Sequence, residues 1–178
     1  MKYISRRIFK TQLTGPATLK ELLQTMFASE MLLTGERVWV VSPWVTNVAL
    51  LDNRSGNFDA LNPEWGHRAV RVAEILSFLM TRGNHVVVVT RDLEINKGLM
   101  TVLEDEVRRL DLQDQLSIIL REQLHSKGIL LSRSMLLGSM NLTYSGIEIN
   151  DESVEFVIDP EDIARTRLEY NLYLPRTT

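Results

Sequence analysis

Residues Leu124–Phe156, with the sequence LHSKGILLSRSMLLGSMNLTYSGIEINDESVEF, decide how the rest of the chain is interpreted. Two short apolar runs, Gly128–Leu131 and Met135–Leu137, stand on either side of a polar break. Short apolar runs bounded by polar residues are typical of buried strands. We therefore predict a strand from His125 to Leu131 that pairs with a second strand ending at Gly138.

Four kinds of polar side chain lie at one end of this predicted hairpin. Alternate residues of a strand face the same side, so His125 and Lys127 project together. The paired strand delivers Ser139 and Asn141 at the same two-residue spacing. Convergent imidazole, ammonium, hydroxyl and carboxamide groups suit a phosphate, because the imidazole can act as nucleophile or base while the others bind the oxygens.

The order of these residues resembles the signature of the phospholipase D superfamily, which is histidine-x-lysine, a downstream aspartate, and then glycine-serine-x-asparagine. The stretch that continues from Asn141 to Glu152 is similar to the segment after the signature in the nuclease branch of the family. The chain departs from the pattern at Ser132, where the family has the aspartate, mainly a supporting residue. The matching positions are His125, Lys127, Gly138, Ser139 and Asn141.

The resemblance implies catalytic roles for the matching side chains. Neutral His125 would attack phosphorus and form a covalent phosphohistidine, while Lys127 and Asn141 hold the non-bridging oxygens where charge builds up. Ser139 would donate a further hydrogen bond. The chain carries one copy of the signature, and family members of this kind pair two chains about a two-fold axis. We therefore expect a homodimer in which each chain contributes one histidine to a shared site.

A carboxylate behind the imidazole would fix its tautomer and stabilise its charged form. Glu152 is the main candidate, and Glu155 is the alternative because the start of the last strand is ambiguous in the sequence. The resemblance also assigns Thr143 to substrate binding.

The rest of the chain alternates helical and strand patterns, which predicts an α/β layered domain with a mixed central β-sheet and helices on both faces. The resemblance implies a single phospholipase D-like domain over residues 1–178. Predicted strands are 37–41, 85–90, 116–120 and 154–158. The first predicted helix begins with a capping box at Thr18 and Glu21 and runs to about Leu33. Three further helices are predicted at 69–80, 95–110 and 161–173.

Three segments near the predicted sheet have open interpretations. Trp44 follows the strand 37–41 in a Ser-Pro-Trp sequence and either lines a substrate groove or packs in the core. Arg91 follows the strand 85–90 and lies near the chemistry if these strands are parallel; otherwise it is a solvated surface residue. Residues Val45–Gly66 show no period, so we predict a long irregular loop that selects the substrate.

The N-terminal segment Met1–Leu13 mixes four basic residues with apolar ones. We predict either an edge strand with solvated charges or a basic arm that contacts phosphates. The basic residues are Lys2, Arg6, Arg7 and Lys10.

Composition narrows the class of protein. The chain has 178 residues and a mass of 20.4 kDa, which fits one domain with a proper core. No apolar run reaches eighteen residues, and cysteine is absent, so we expect a cytoplasmic protein without a membrane span. The three histidines are far apart, so we expect neither a metal nor another cofactor. The net charge of −3 means that any polyanion must bind a local basic patch.

The sequence therefore favours a metal-independent phosphodiesterase, most consistent with a nuclease that acts on DNA. Size, the Ser-Pro-Trp sequence and the long loop also resemble small phospholipase D-like proteins of bacterial 7-deazapurine DNA-modification or phage-defence clusters. A catalytically degenerate module that binds DNA or RNA is the second hypothesis, since Ser132 replaces aspartate. A phospholipase or phosphatidyltransferase is the third.

Overall fold

The computed structural model describes residues 5–33 and 35–175. A seven-stranded sheet forms the centre, with the strand order β1-β9-β8-β7-β2-β5-β6. A separate two-stranded sheet pairs β3 with β4. The strands are β1 (Ser5–Lys10), β2 (Arg37–Val41), β3 (Ala49–Asp52), β4 (Ala69–Arg71), β5 (His85–Thr90), β6 (Leu116–Leu120), β7 (Gly128–Leu130), β8 (Met135–Gly138) and β9 (Glu152–Val157).

The central sheet is mixed, as predicted. Strands β2, β5 and β6 are parallel, whereas β7, β8, β9 and β1 join by antiparallel pairing. The parallel strands are nearly continuous runs of β-branched and other apolar residues, and Val86 to Val89 of β5 have no exposed surface. Strands covered on both faces have this composition, because neither face can be polar. Each such side chain contributes about 1.5–3 kcal/mol by burial.

Helices cover both faces of the sheet and create two cores. One core joins α1, α2 and α3 to one face, and the other packs Ile163 and Tyr170 of α4 against Trp39 on the opposite face. The rings of Trp39 and Tyr170 lie 5.7 Å apart between centroids. The helices are α1 (Ala17–Glu30), α2 (Val72–Thr81), α3 (Glu94–Leu110) and α4 (Pro160–Asn171).

The N-terminal half differs from the sequence prediction in two places. Helix α1 has Pro16 at its N-cap with no side-chain cap, so the predicted capping box at Thr18 is wrong, and the helix ends at Glu30 rather than Leu33. The residues predicted as the start of the second helix form β4, and α2 begins at Val72. Short strands of three or four residues are too brief to show a period.

The predicted irregular loop Val45–Gly66 is also wrong in part, because it contains β3 and a 3₁₀ turn at Pro63–Trp65. A single fully buried amide organises its remainder. The Asn53 side chain donates to Asp59 Oδ1 and to Gly66 O, each at 2.8 Å, and accepts from the Phe58 backbone N–H at 2.7 Å. The segment is therefore held by specific hydrogen bonds within the fold.

The two ends of the central sheet are defined by the strands that begin and finish at each of them. We call one the motif end and the other the distal end. At the distal end β2 and β5 begin, at Arg37 and His85, and β7 ends, at Leu130. The motif end lies where five strands finish, at Lys10, Val41, Thr90, Leu120 and Gly138, and two begin, at Gly128 and Glu152.

Substitution of Asn53 by alanine tests the account of the Val45–Gly66 segment. The change removes three hydrogen bonds at a fully buried site and leaves their partners unsatisfied, so we expect a loss of roughly 2–4 kcal/mol in the free energy of unfolding. Urea denaturation measures it. Asn57→Ala, at an exposed position of the same segment, is the matched control and should change stability by less than about 0.5 kcal/mol. Equal effects would contradict the role assigned to Asn53.

Candidate active site

His125 and Lys127 lie in the irregular segment that leads into β7, which begins at Gly128 and not at His125 as predicted. The His125 side chain is exposed, and Lys127 is half-buried. Lys127 Nζ donates to the backbone carbonyl of His125 at 2.8 Å. The ammonium group is therefore bound to the main chain of His125.

Strand β8 brings the second half of the signature to the same place. Its last residue, Gly138, donates its backbone N–H to the carbonyl of Lys127 at 3.4 Å, and Ser139 follows directly. Gly138 has a φ of +146°, and a Cβ there would stand 2.2 Å from the carbonyl oxygen of Ser153. The close passage of β8 past the start of β9 therefore requires glycine.

Glu152 is hydrogen-bonded into the signature. The Ser139 hydroxyl donates to Glu152 Oε2 and accepts from the Ser153 N–H at 3.0 Å. The Glu152 side chain is buried at the first position of β9. Glu155, the alternative, lies farther along β9 in register with Leu137 and is half-buried. Of the two carboxylates, Glu152 is the one that the structure joins to the motif end.

Asn141 is positioned by Ser42, a buried residue that sequence reasoning did not assign to the site. The Ser42 hydroxyl lies 3.0 Å from Asn141 Oδ1 and 2.8 Å from the carbonyl oxygen of Trp44, so its single proton serves one acceptor at a time. With Oδ1 facing Ser42, the amide N–H groups of Asn141 remain as donors. Ser42, Lys127 and Gly138 also border one small, partly open cavity. The feature of the sequence that could have indicated Ser42 was its place in the Ser-Pro-Trp sequence.

Trp44 and Arg91 both lie at the motif end. Trp44 follows β2 and is 38% exposed, so the structure favours a surface position for it over the core. Arg91 follows β5, which is parallel to β2, so the condition for its placement near the signature is met. Asn96, a second residue that the sequence did not reveal, ties these two turns together. Its Nδ2 donates to Pro43 O at 2.9 Å and to Arg91 O at 2.8 Å.

Thr143 is buried in the turn after the signature. Its hydroxyl accepts the backbone N–H of Gly146 at 3.1 Å and so stabilises the start of the π-helical turn Ser145–Ile149. A contact with substrate remains a prediction for this residue.

The other two histidines lie away from the signature. His85 begins β5 at the distal end, with its Nε2 2.9 Å from the Ser117 hydroxyl. Burial, and secondarily the charge of Arg37, lower the pKa of His85 below its usual value. His67 is exposed and pairs with Asp59 between β3 and β4. Among the residues that the structure describes, no group of three histidine or acidic side chains is arranged to hold a metal ion.

Ser132, the departure from the family pattern, lies beyond the end of β7 at the distal end, remote from His125. A carboxylate is nevertheless present there. The side chain of Glu30, at the last position of α1, accepts the Ser132 hydroxyl and, at 3.0 Å, the Ser132 backbone N–H. Glu30 is only 2% exposed. A carboxylate from a different element therefore lies against the position where the family has its aspartate.

Ser132→Asp tests this arrangement. The aspartate would face the buried carboxylate of Glu30 from a half-buried position and lose the donated hydroxyl, so we expect the free energy of unfolding to fall by roughly 2–4 kcal/mol. The double variant Glu30→Ser/Ser132→Asp exchanges the two groups and should recover at least half of that loss. Urea denaturation decides, and a Ser132→Asp protein as stable as the wild type would refute the compensation by Glu30.

Comparison with known proteins identifies the class. The sequence profile of the family described as "Cardiolipin synthase, PLD-like domain" matches residues 35–171, so the chain belongs to the phospholipase D-like family. A search of curated protein sequences finds no significant match.

Solved structures with the same fold include two nearly full-length matches. NucT from Helicobacter pylori is 14% identical, with a TM-score of 0.63 over 97% of this chain and 96% of that one. Nuc from Salmonella typhimurium, a phospholipase D family member, is 13% identical, with a TM-score of 0.57 over 94% and 91%. Polyphosphate kinase from Porphyromonas gingivalis is 11% identical, with a TM-score of 0.61 over 98% of this chain but 27% of its own. At these identities the likeness shows the shared fold.

Proposed function

We propose that the protein is a metal-independent phosphodiesterase, a nuclease that cleaves DNA through a phosphohistidine at His125. The observation that carries the proposal is that the signature residues meet at the motif end. There the backbone carbonyl of Lys127 accepts the N–H of Gly138, and the hydroxyl of Ser139 donates to Glu152. Membership of the phospholipase D-like family supports phosphodiester chemistry as the reaction. Cytoplasmic location and a setting in bacterial DNA modification or phage defence belong to the same proposal.

In the first step, a neutral ring nitrogen of exposed His125 forms a bond to phosphorus while the bond from phosphorus to the ester oxygen breaks. The leaving oxygen takes a proton from a general acid. Lys127 and the amide N–H groups of Asn141 bind the non-bridging oxygens, whose charge increases in the transition state. In the second step, water attacks the phosphohistidine and restores His125.

Glu152 would support both steps by interacting with the imidazole of His125. A carboxylate that accepts from Ser139 can also accept the second ring N–H of His125, which orients the imidazole and stabilises its positive charge in the intermediate. The buried position of Glu152 strengthens such an interaction, since the local dielectric constant is low.

The general acid requires a second group, and we propose the His125 of a second copy of the chain. His85 lies at the distal end, and His67 lies beside Asp59 between β3 and β4. A homodimer that places two motif ends face to face supplies the missing acid, which also acts as base toward water in the second step.

DNA is the proposed substrate because cationic and aromatic side chains lie near the signature while the whole chain is acidic, with a net charge of −3. Phosphates bind such local cations, and exposed aromatic rings stack on bases. The residues concerned are Arg91, Arg121, Lys127, Trp44 and Tyr144, of which Trp44 and Tyr144 are 38% and 60% exposed.

A catalytically degenerate nucleic-acid-binding module is the alternative function. The exposed aromatic and cationic side chains near the signature favour it as much as they favour a nuclease. A phospholipase or phosphatidyltransferase is weaker. Within residues 5–33 and 35–175, no helix is both long and apolar enough to cross a membrane.

The decisive assay is incubation with single- and double-stranded DNA in EDTA. We expect cleavage that His125→Ala reduces at least about a thousandfold, because the nucleophile is lost. His85→Ala, a change at the distal end, is the matched control and should retain activity. Cleavage that persists in His125→Ala would refute the nuclease mechanism, and DNA binding without cleavage by the wild type would establish the binding module instead.

The shared site is tested by measuring the mass of the protein in solution and by mixing wild-type and His125→Ala chains. Light scattering at micromolar concentration should give the mass of a dimer. Heterodimers of wild-type and His125→Ala chains should hold one nucleophile without its partner and lose most of their activity. A monomer with full activity would contradict the two-chain site.

A further inference from the structure

Lys10, the last residue of β1, is buried at the motif end, whereas the sequence predicted either solvated charges or a phosphate-binding arm in this segment. Its side chain is 3% exposed, and no described residue lies within hydrogen-bonding distance of its Nζ. An ammonium group removed from water without a counter-charge is strongly unfavourable. A buried lysine therefore needs an anion from a neighbouring strand or from a ligand.

The strand register places one carboxylate directly opposite. Lys10 pairs with Glu152 in the antiparallel β1–β9 ladder, and directly opposed residues project to the same face with Cβ atoms about 4.5–5.5 Å apart. Glu152 is itself only 6% exposed. The Ser139 hydroxyl donates to one of its oxygens, Oε2, so Oε1 is the oxygen available to a second donor.

We propose that Lys10 is a positioning residue: its positive charge lies opposite Glu152 without a direct hydrogen bond, stabilises this buried carboxylate electrostatically, and thereby holds it ready to accept from Ser139 and His125. In this proposal Lys10 acts through Glu152 and not by binding phosphate, because Glu152 is the residue opposite it in the strand register. The inference rests on the proposed function for its catalytic consequence, while the Lys10–Glu152 pairing itself is independent of it.

A positive charge beside a buried carboxylate favours the charged form. Without Lys10, the buried carboxylate of Glu152 would lose the positive charge that offsets its removal from water, and it would orient and stabilise an imidazolium less well. Substrate binding through Lys127 and Asn141 would be unaffected. The expected signature is therefore a fall in kcat at nearly constant KM.

Hydrolysis of bis(4-nitrophenyl) phosphate and of a single-stranded oligonucleotide, both in EDTA, tests the proposal with Lys10→Met, Lys10→Arg and the control Lys20→Met. Lys20 pairs with Glu148 near the surface. We expect Lys10→Met to lower kcat by roughly tenfold, the equivalent of about 1.4 kcal/mol in activation free energy, with KM within about twofold. Lys10→Arg should restore most of kcat, and Lys20→Met should match the wild type.

A double-mutant cycle separates positioning from a merely structural role. If Lys10 acts through Glu152, then Lys10→Met/Glu152→Gln should have the same kcat as Glu152→Gln alone. It should also unfold at no lower temperature than Lys10→Met, because both charges are gone. This comparison decides even if Lys10→Met alone does not fold.

The outcomes distinguish the two proposals. Additive losses of kcat, or a wild-type kcat in Lys10→Met, would overturn the role of Lys10 and leave the nuclease intact. Activity that survives His125→Ala would overturn the nuclease. In that case the thermal unfolding arm of the cycle still decides the pairing, and independent, additive shifts in unfolding temperature would refute it.

Discussion

The close passage of β8 past β9 at Gly138 is the constraint on which the site depends. With no side chain at Gly138, the backbone approaches the Ser153 carbonyl, and Ser139 bonds to both Ser153 and Glu152. The same glycine bonds to the Lys127 carbonyl on its other side. Three strands that are separate in sequence are thus held at one point, and the groups that suit a phosphate lie around it.

The two ends of the central sheet carry different sets of polar residues. The motif end collects the signature, the exposed Trp44 and the buried pair Lys10 and Glu152. The distal end holds His85, whose pKa is lowered by burial, and the Glu30–Ser132 contact. Ser132 is therefore a weaker reason to doubt catalysis than its place in the family pattern suggests, because it lies at the end remote from His125.

Much of the fold could be predicted because its periodic segments are long. The strands at 37–41, 85–90 and 116–120 are confirmed with the predicted bounds, since continuous apolar runs have few other uses. The family signature was also visible, because it is local in sequence. Strands β3 and β4 were missed because each has at most four residues and their pairing is set by tertiary contacts.

The supporting residues could not be predicted for a different reason. Ser42, Glu30 and Asn96 each hydrogen-bond to a partner between 5 and more than 100 residues away, and Lys10 lies opposite a residue of a distant strand. Lys10 illustrates the point, since the sequence alone predicts either a solvated charge or a phosphate-binding arm, and the fold buries the residue opposite Glu152.

The most direct measurement of the central claim is the detection of a covalent phosphohistidine. Wild-type protein would be mixed with a DNA substrate, quenched at alkaline pH, digested and analysed by mass spectrometry. The account predicts a phosphoryl-nucleotide adduct on the peptide that contains His125, absent from His125→Ala. Efficient cleavage with no adduct at His125, or with an adduct at another residue, would contradict it.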